Sequence, residues 1–175
     1  EYELSGHLMG ELLQQSPFGL SFQPIVARNE HAATLHYIDC CEQFQDNDLV
    51  LLDFGLRWHS MCTDISRTIS LTGRYTPLQK RLLTIVKSVQ SDVISYIKPG
   101  MSFDELNDFC WTKMDSLLEK DFIAKGGTMK RNYKKQPHNV GHLLGIQTHD
   151  GDPFRSYRHS PLTPGAIITI EPGLY

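Results

Sequence analysis

Three carboxylates are the first residues in this sequence that could carry chemistry, and two of them follow apolar segments. Asp53 follows the apolar residues 49–52, and Glu171 follows the largely apolar residues 167–170. An unpaired carboxylate buried on such a strand costs several kcal/mol, so each needs a partner. For Asp53 alone, an arginine or a backbone N–H is the simplest partner. For Glu171 alone, the competing explanation is a sheet edge that faces water.

Asp64 changes the interpretation of Asp53, because the two lie on opposite arms of a predicted hairpin. If the turn is centred between Trp58 and His59, residue 53 pairs with residue 64. Directly opposed side chains share one face of a sheet, with Cβ atoms ~5 Å apart. Two carboxylates this close repel each other unless a proton or a cation lies between them. Their separation suits two metal ions ~3.5–4 Å apart, although a proton-sharing acid pair remains an alternative.

Histidines supply the second ligand type. The sequence has eight, and His142 lies in a glycine-containing apolar segment. A single histidine there is more often a hydrogen-bonded core residue than a ligand, and the same holds for His36, His138 and His149. Together with three carboxylates, however, the set exceeds what packing requires. An oxygen-rich site with one imidazole suits Mn²⁺, with Co²⁺ or Zn²⁺ as alternatives.

The elements that position these residues follow from periodicity and capping signals. Capping boxes at Thr76-Pro77-Leu78-Gln79 and at Ser102-Phe103-Asp104-Glu105 predict two helix starts. Apolar spacing predicts another helix that ends before Pro17. The predicted strands are 21–27, 33–38, 49–55 and 61–71, with a hairpin tip near residues 57–60, and Glu171 lies on a further strand.

Composition excludes several classes of function. The chain has 175 residues, 17 basic and 20 acidic, for a net charge of −3, so a nucleic-acid-binding surface is not expected. No apolar run approaches the ~18–20 residues of a membrane span. We interpret the four cysteines as reduced thiols of a cytoplasmic protein. The basic cluster Lys130, Arg131, Lys134 and Lys135 is interpreted as a solvated loop.

Six segments in a fixed order carry a resemblance to a known family. They are residues 35–37 (LHY), 51–55 (LLDFG), 63–68 (TDISRT), 138–145 (HNVGHLLG), 148–151 (THDG) and 169–175 (TIEPGLY). This set resembles the metallopeptidases of the pita-bread (creatinase/aminopeptidase) fold. It is most similar to the Xaa-Pro aminopeptidases (aminopeptidase P), with the Xaa-Pro dipeptidases (prolidases) next.

The resemblance implies a role for each candidate residue. Asp53, Asp64, His142 and Glu171 match four of the family's five metal ligands, so the expected cofactors are two divalent ions, with Mn²⁺ favoured. Glu171 is also the expected carrier of a proton from the nucleophile to the leaving proline nitrogen. The expected catalytic histidines, which line the substrate site, are His36, His138 and His149.

The implied fold is α+β, with a curved, mainly antiparallel sheet and outer helices. The implied activity is hydrolysis of the Xaa-Pro bond, which releases the first residue of peptides with proline second. Prolidase activity, methionine aminopeptidase activity and a metal-free pita-bread binding protein are the alternatives, in that order. The expected partners are peptide substrates, without nucleic acid or membrane, and self-association of the full-length protein is left open.

The sequence also departs from the family pattern. The family's second glutamate ligand lies beyond the E-P-G-x-Y segment, and this sequence ends at Tyr175. The Gly-rich stretch before L-H-Y is replaced by residues 27–31, and H-G-x-G-H becomes residues 138–142 (HNVGH). We therefore expect residues 1–175 to be part of a metallopeptidase catalytic domain, without the preceding N-terminal domain and without the end of the catalytic domain.

Overall fold

A computed structural model describes residues 1–128 and 137–175, which form two compact units. Unit 1 comprises residues 1–75, 144–150 and Tyr175. Unit 2 comprises residues 76–143 and 151–174. The basic cluster between residues 130 and 135 lies outside the described residues, so its interpretation as a solvated loop stays a prediction.

Unit 1 is built on an antiparallel sheet beside one helix. The helix α1 (Tyr2–Gln15) ends before Pro17, as predicted. The sheet order is β1-β2-β5, with β2 in the centre and antiparallel to both neighbours. Val26 and Val50, on adjacent strands, are fully buried. The strands are β1 (Ile25–Arg28), β2 (Leu49–Phe54), β3 (Arg57–Trp58), β4 (Met61–Cys62) and β5 (Ile65–Ser70).

The predicted hairpin is confirmed, but its predicted register is wrong by two residues. Trp58 pairs with Met61 and Asp53 pairs with Ser66, so Asp64 is not directly opposite Asp53. The tip lies at residues 59–60, where His59 has a φ of 53°. Positive φ at the first central residue is a feature of two-residue hairpin turns.

A close contact interrupts the ladder beyond the tip. Thr63 exchanges hydrogen bonds with Leu56, through its backbone N–H and its side-chain oxygen. A Cβ atom at Gly55 would lie 1.9 Å from the Thr63 carbonyl oxygen, so only glycine fits there. The predicted strand 61–71 is therefore split into β4 and β5.

Two other strand predictions need correction. Residues 33–38 do not form a strand: a 3-10 helix (Asn29–Ala33) precedes an irregular segment in which His36 has a φ of 55°. An L-residue with positive φ cannot continue an extended ladder. The predicted strand 21–27 is shortened to β1, because Pro24 has no N–H to donate to a sheet.

Unit 2 contains two long helices, and both predicted capping boxes are present. The helix α2 (Pro77–Tyr96) is capped by Thr76 and Gln79, and α3 (Phe103–Asp121) by Ser102 and Glu105. Their apolar faces pack into one core, which also includes Val140 and Leu162. The fully buried helix side chains in this core include Val89, Val93, Leu106 and Cys110. Two 3-10 helices, Ile123–Lys125 and Ser156–His159, complete the unit.

The segment that carries Glu171 is extended but is not a regular strand. One isolated antiparallel bridge joins Ile168 to Leu143. Thr169 N–H donates to the His142 carbonyl (2.9 Å), and Glu171 N–H donates to the Val140 carbonyl (2.8 Å). The predicted strand is thus replaced by a short backbone pairing, which still fixes the position of Glu171 relative to residues 140–142.

The four cysteines, all in the described part of the chain, are free thiols, as predicted. Within residues 1–128 and 137–175, no helix has the length and apolar character needed to cross a membrane.

Candidate metal-binding residues

Asp53 lies near the end of β2, in the centre of the unit 1 sheet. Its side chain is partly buried between Ile25 on β1 and Ser66 on β5, the residues paired with it on either side. The Ser66 hydroxyl donates to Asp53 Oδ1 at 2.9 Å. The Ser66 hydroxyl is a partner that the sequence did not predict, and it fixes one carboxylate oxygen of Asp53 relative to β5.

Asp64 lies immediately before β5 and is also partly buried. Because the register is shifted by two residues, Asp53 and Asp64 are diagonal neighbours rather than an opposed pair. In a regular ladder, diagonal neighbours have Cα atoms ~7–8 Å apart. The diagonal arrangement places the two residues farther apart than a directly opposed pair.

His36 and His149 form a second group in unit 1. Their ring centroids are 6.1 Å apart. The segment that carries His149 is fastened to the hairpin, since the Gly145 carbonyl accepts a hydrogen bond from Cys62 N–H at 2.7 Å. The Thr148 hydroxyl donates to the Ser21 carbonyl at 3.1 Å. Long-range contacts therefore hold the segment that carries His149.

His142 and Glu171 form the best-defined pair, in unit 2. His142 Nε2 lies 3.2 Å from Glu171 Oε1. The other ring nitrogen, Nδ1, lies 2.9 Å from the Leu143 carbonyl. A carbonyl can only accept, so Nδ1 carries a proton, and Nε2 donates to the carboxylate when it is protonated as well. A carbonyl that fixes the ring in this way is typical of metal-bound histidine.

Thr169 supports both members of this pair. Its hydroxyl donates to Glu171 Oε1 at 2.8 Å and accepts from His142 N–H at 3.0 Å. A Cβ atom at Gly141 would lie 2.0 Å from the Thr169 carbonyl oxygen, so glycine is required there for the two segments to approach. Desolvation raises the pKa of Glu171, but hydrogen bonds from His142 and Thr169 outweigh it and hold the pKa below its ordinary value.

His138 lies in the same unit, four residues before His142. Its Nδ1 is 2.6 Å from the Asn139 carbonyl, so this ring also carries its proton on Nδ1. The Val140 N–H next to it donates to Asn107 Oδ1 on α3, at 3.1 Å. The backbone on the C-terminal side of His138 is therefore held by a helix.

The candidate residues thus occur as three groups, two in unit 1 and one in unit 2. The groups are Asp53 with Asp64, His36 with His149, and His138 with His142 and Glu171. Among the described residues, no cluster of three or more His, Cys, Asp or Glu side chains could hold a metal ion by itself. The donor types, carboxylate oxygens and one carbonyl-oriented imidazole, fit a hard divalent cation.

Two supporting residues were missed in the sequence. Thr169 is two residues from Glu171, and alternation along an extended segment would have placed both on one face. The position of Thr169 beside Glu171 could therefore have been predicted from the sequence. Ser66 carried no comparable signal, because its contact with Asp53 depends on a register that was predicted incorrectly.

Comparison with known proteins identifies the family. The model of metallopeptidase family M24 matches residues 1–175. Human Xaa-Pro aminopeptidase 3 is 35% identical over 161 residues, which cover 89% of this chain and 31% of that protein. The chain therefore spans about a third of the length of this relative.

Solved structures agree with this assignment. Proline aminopeptidase P II from Yersinia pestis has a TM-score of 0.86 and 31% identity, over 100% of this chain and 42% of its own. A zinc-substituted Escherichia coli aminopeptidase P in complex with product has a TM-score of 0.86 and 29% identity, over 100% and 41%. The predicted α+β pita-bread fold is confirmed by this similarity, and the chain belongs to metallopeptidase family M24.

Proposed function

We propose that the protein containing this chain is a metal-dependent aminopeptidase that hydrolyses the Xaa-Pro bond and releases the first residue of peptides with proline second. Family membership and the names of the relatives support a peptidase of this kind. The observation that carries the proposal is the pairing of His142 Nε2 with Glu171 Oε1 at 3.2 Å, with the imidazole oriented by the Leu143 carbonyl. In this proposal, residues 1–175 form part of the catalytic domain.

The proposed metal ligands are Asp53, Asp64, His142 and Glu171, with a further glutamate beyond Tyr175. Two divalent ions are proposed, and the oxygen-rich donor set favours Mn²⁺ over Co²⁺ or Zn²⁺. When bound, such ions supply a water of lowered pKa and a Lewis acid for the scissile carbonyl. The role of this chain is to hold the ligands in place beforehand, through Ser66 at Asp53 and Thr169 at Glu171.

Glu171 is the proposed proton carrier from the nucleophile to the leaving proline nitrogen. Its lowered pKa keeps the carboxylate ionised at neutral pH, so it can accept a proton at the start of the reaction. His149 is the proposed donor to the developing oxyanion. His36 and His138 are the proposed contacts to the substrate and its proline ring. The ring contact between His36 and His149 supports a shared role for these two.

The four free thiols favour a reducing compartment, and we propose the cytoplasm. Peptides are the proposed partners.

The specificity can be tested with four substrates on the metal-loaded full-length protein. A tripeptide with proline second should be cleaved, and the matched tripeptide with alanine second should be spared. Cleavage of the Xaa-Pro dipeptide alone would identify a prolidase, and release of methionine from a Met-Ala peptide would identify a methionine aminopeptidase. Absence of hydrolysis, with no metal bound, would favour a binding protein and refute the proposal.

A further inference from the structure

An arginine outside the candidate metal ligands is joined to His138 by a short chain of contacts within unit 2. Arg158 lies in the 3-10 helix Ser156–His159, and its Nη2 donates to the side-chain oxygen of Asn139, the residue after His138. We infer that Arg158 is a positioning residue that acts on His138 through Asn139. This inference rests on the proposed function only in assigning His138 to the substrate site.

Arg158 is itself anchored to the start of a helix. Its Nη2 lies 3.8 Å from Asp104 Oδ1, in the first turn of α3. The other carboxylate oxygen of Asp104 is held by His159 Nδ1. The capping box of Ser102 and Glu105 fixes this turn. The guanidinium therefore joins the Asn139 side chain to a rigid part of the unit.

The peptide group between Asn139 and Val140 connects these contacts to the imidazole of His138. The peptide between residues 139 and 140 presents its carbonyl to His138 Nδ1 (2.6 Å) and its N–H to Asn107 Oδ1 (3.1 Å). Because the peptide is planar and trans, a bond that fixes the N–H also fixes the direction of the carbonyl. Asn107 is held in turn by Trp111 Nε1 at 3.1 Å. We name Asn107, Asn139 and Arg158 the peptide clamp.

The peptide clamp determines which imidazole nitrogen is protonated. The Asn139 carbonyl accepts only, so it selects the tautomer with the proton on Nδ1 and leaves Nε2 as the acceptor of the neutral ring. If the clamp is released, the peptide can rotate, and both the tautomer and the ring orientation become mixed. The Nε–H group of Arg158 takes no part in the clamp. It is buried and has no hydrogen-bond partner among the described residues.

The first test is a double-mutant analysis on the full-length, metal-loaded protein with a proline-second tripeptide. Arg158→Met should lower kcat/KM by about tenfold, as expected for a displaced group that is not itself removed. In a His138→Ala background, the same substitution should change kcat/KM by less than twofold, because the target of the clamp is gone. Arg158→Lys, which keeps a donor, should recover most of the activity. Equal losses in both backgrounds would overturn the proposal.

Asn139→Ala provides a second variant if Arg158→Met does not fold. It removes the link between the guanidinium and the peptide without altering the helices, and it should reproduce the same pattern. Melting temperature and metal content are measured for each variant, since a purely structural role would lower them without dependence on His138.

A second readout does not need activity. In the metal-free full-length protein with ¹⁵N-labelled histidine, nitrogen chemical shifts report the tautomer of His138. Wild type should show the Nδ1–H tautomer, and Arg158→Met a mixture. An unchanged tautomer would overturn the clamp. If wild type does not cleave Xaa-Pro peptides, the proposed function fails and the clamp is judged on this measurement alone.

Discussion

Asp48 in unit 1 and Glu171 in unit 2 are both carboxylates with a lowered pKa, but their partners differ in kind. Asp48 is buried at the start of the β2 strand and accepts from Arg28 Nε (2.7 Å) and Nη2 (3.1 Å), from Asn29 Nδ2 (2.6 Å) and from the Gln45 N–H (2.8 Å). The guanidinium hydrogen bond is the main cause of its pKa of about 2.

Glu171 is held by groups that carry no permanent charge. The Thr169 hydroxyl and the His142 imidazole are its partners, and desolvation opposes its ionisation. A guanidinium remains charged under all conditions, whereas this imidazole donates to Glu171 only when it gains a second proton. Asp48 is thus held by a permanently charged guanidinium, whereas Glu171 is the carboxylate that, under the proposed function, would bind a divalent ion.

The largest expected effect is at Glu171, on activity rather than on stability. Glu171→Gln keeps the size of the side chain but removes its charge and its basicity. The kcat/KM of the full-length protein on an Xaa-Pro peptide should fall by about a thousandfold or more, since both a ligand and a proton carrier are lost. The free energy of unfolding of the metal-free protein should change little. An active Glu171→Gln variant would remove the distinction between the two carboxylates.

The next effect is at Asp48, on stability rather than on activity. Asp48→Ala leaves the Arg28 guanidinium, which is nearly buried, without its partner. Breaking a buried pair in this way costs about 3–5 kcal/mol. Chemical denaturation of the metal-free protein should show this loss, and kcat per folded molecule should be unchanged. A loss below about 1 kcal/mol would show that the Arg28–Asp48 pair contributes no more than a solvent-exposed ion pair.

The pH dependence separates the contribution of Asp48 from that of other acids. Its folded-state pKa of about 2 is lower than its ordinary value of 3.8. A lowered pKa stabilises the fold above the ordinary value, and this contribution is lost as pH falls from about 4 to about 2. The stability difference between wild type and Asp48→Asn should therefore shrink across this interval. Glu1 has a similar pKa, so the measured quantity must be the difference between the two proteins.

The smallest expected effect serves as a control on unit 2. Thr76→Ala removes the N-cap of α2, whose side chain accepts from Gln79 N–H at 3.2 Å. Loss of a cap costs about 1 kcal/mol. Ser102→Ala at the start of α3 should behave alike, and neither should change metal affinity. A change in metal affinity from a cap substitution would show that stability and metal binding cannot be separated in this unit.

Features set by contacts between residues close in sequence could be predicted, whereas features set by contacts between distant residues could not. The helix starts at Thr76 and Ser102 were predicted because both members of each capping box lie within four residues. The hairpin register was wrong because it depends on the positive φ of His59 and on the contact between Gly55 and Thr63. Neither feature is visible in an alternating pattern of side chains.

The strand predicted at residues 33–38 failed for a similar reason. The Tyr37 hydroxyl donates to Glu1 Oε2 at 2.8 Å, and the neighbouring His36 has positive φ, so a contact across 36 residues determines the local backbone. The candidate ligands, in contrast, could be proposed from residue type and the order of the family segments. Their supporting residues Ser66 and Thr169 became visible only with the backbone in place.

The metal content of purified variants measures whether Asp53, Asp64, His142 and Glu171 bind divalent ions, as proposed. Full-length wild type, Asp64→Ala and Asp46→Asn would be loaded with Mn²⁺, desalted and analysed by atomic emission. Asp46 lies in an exposed turn and is a matched control. We predict two ions per chain in wild type and in Asp46→Asn, and at most one in Asp64→Ala. Equal metal content in wild type and Asp64→Ala would contradict the proposed site.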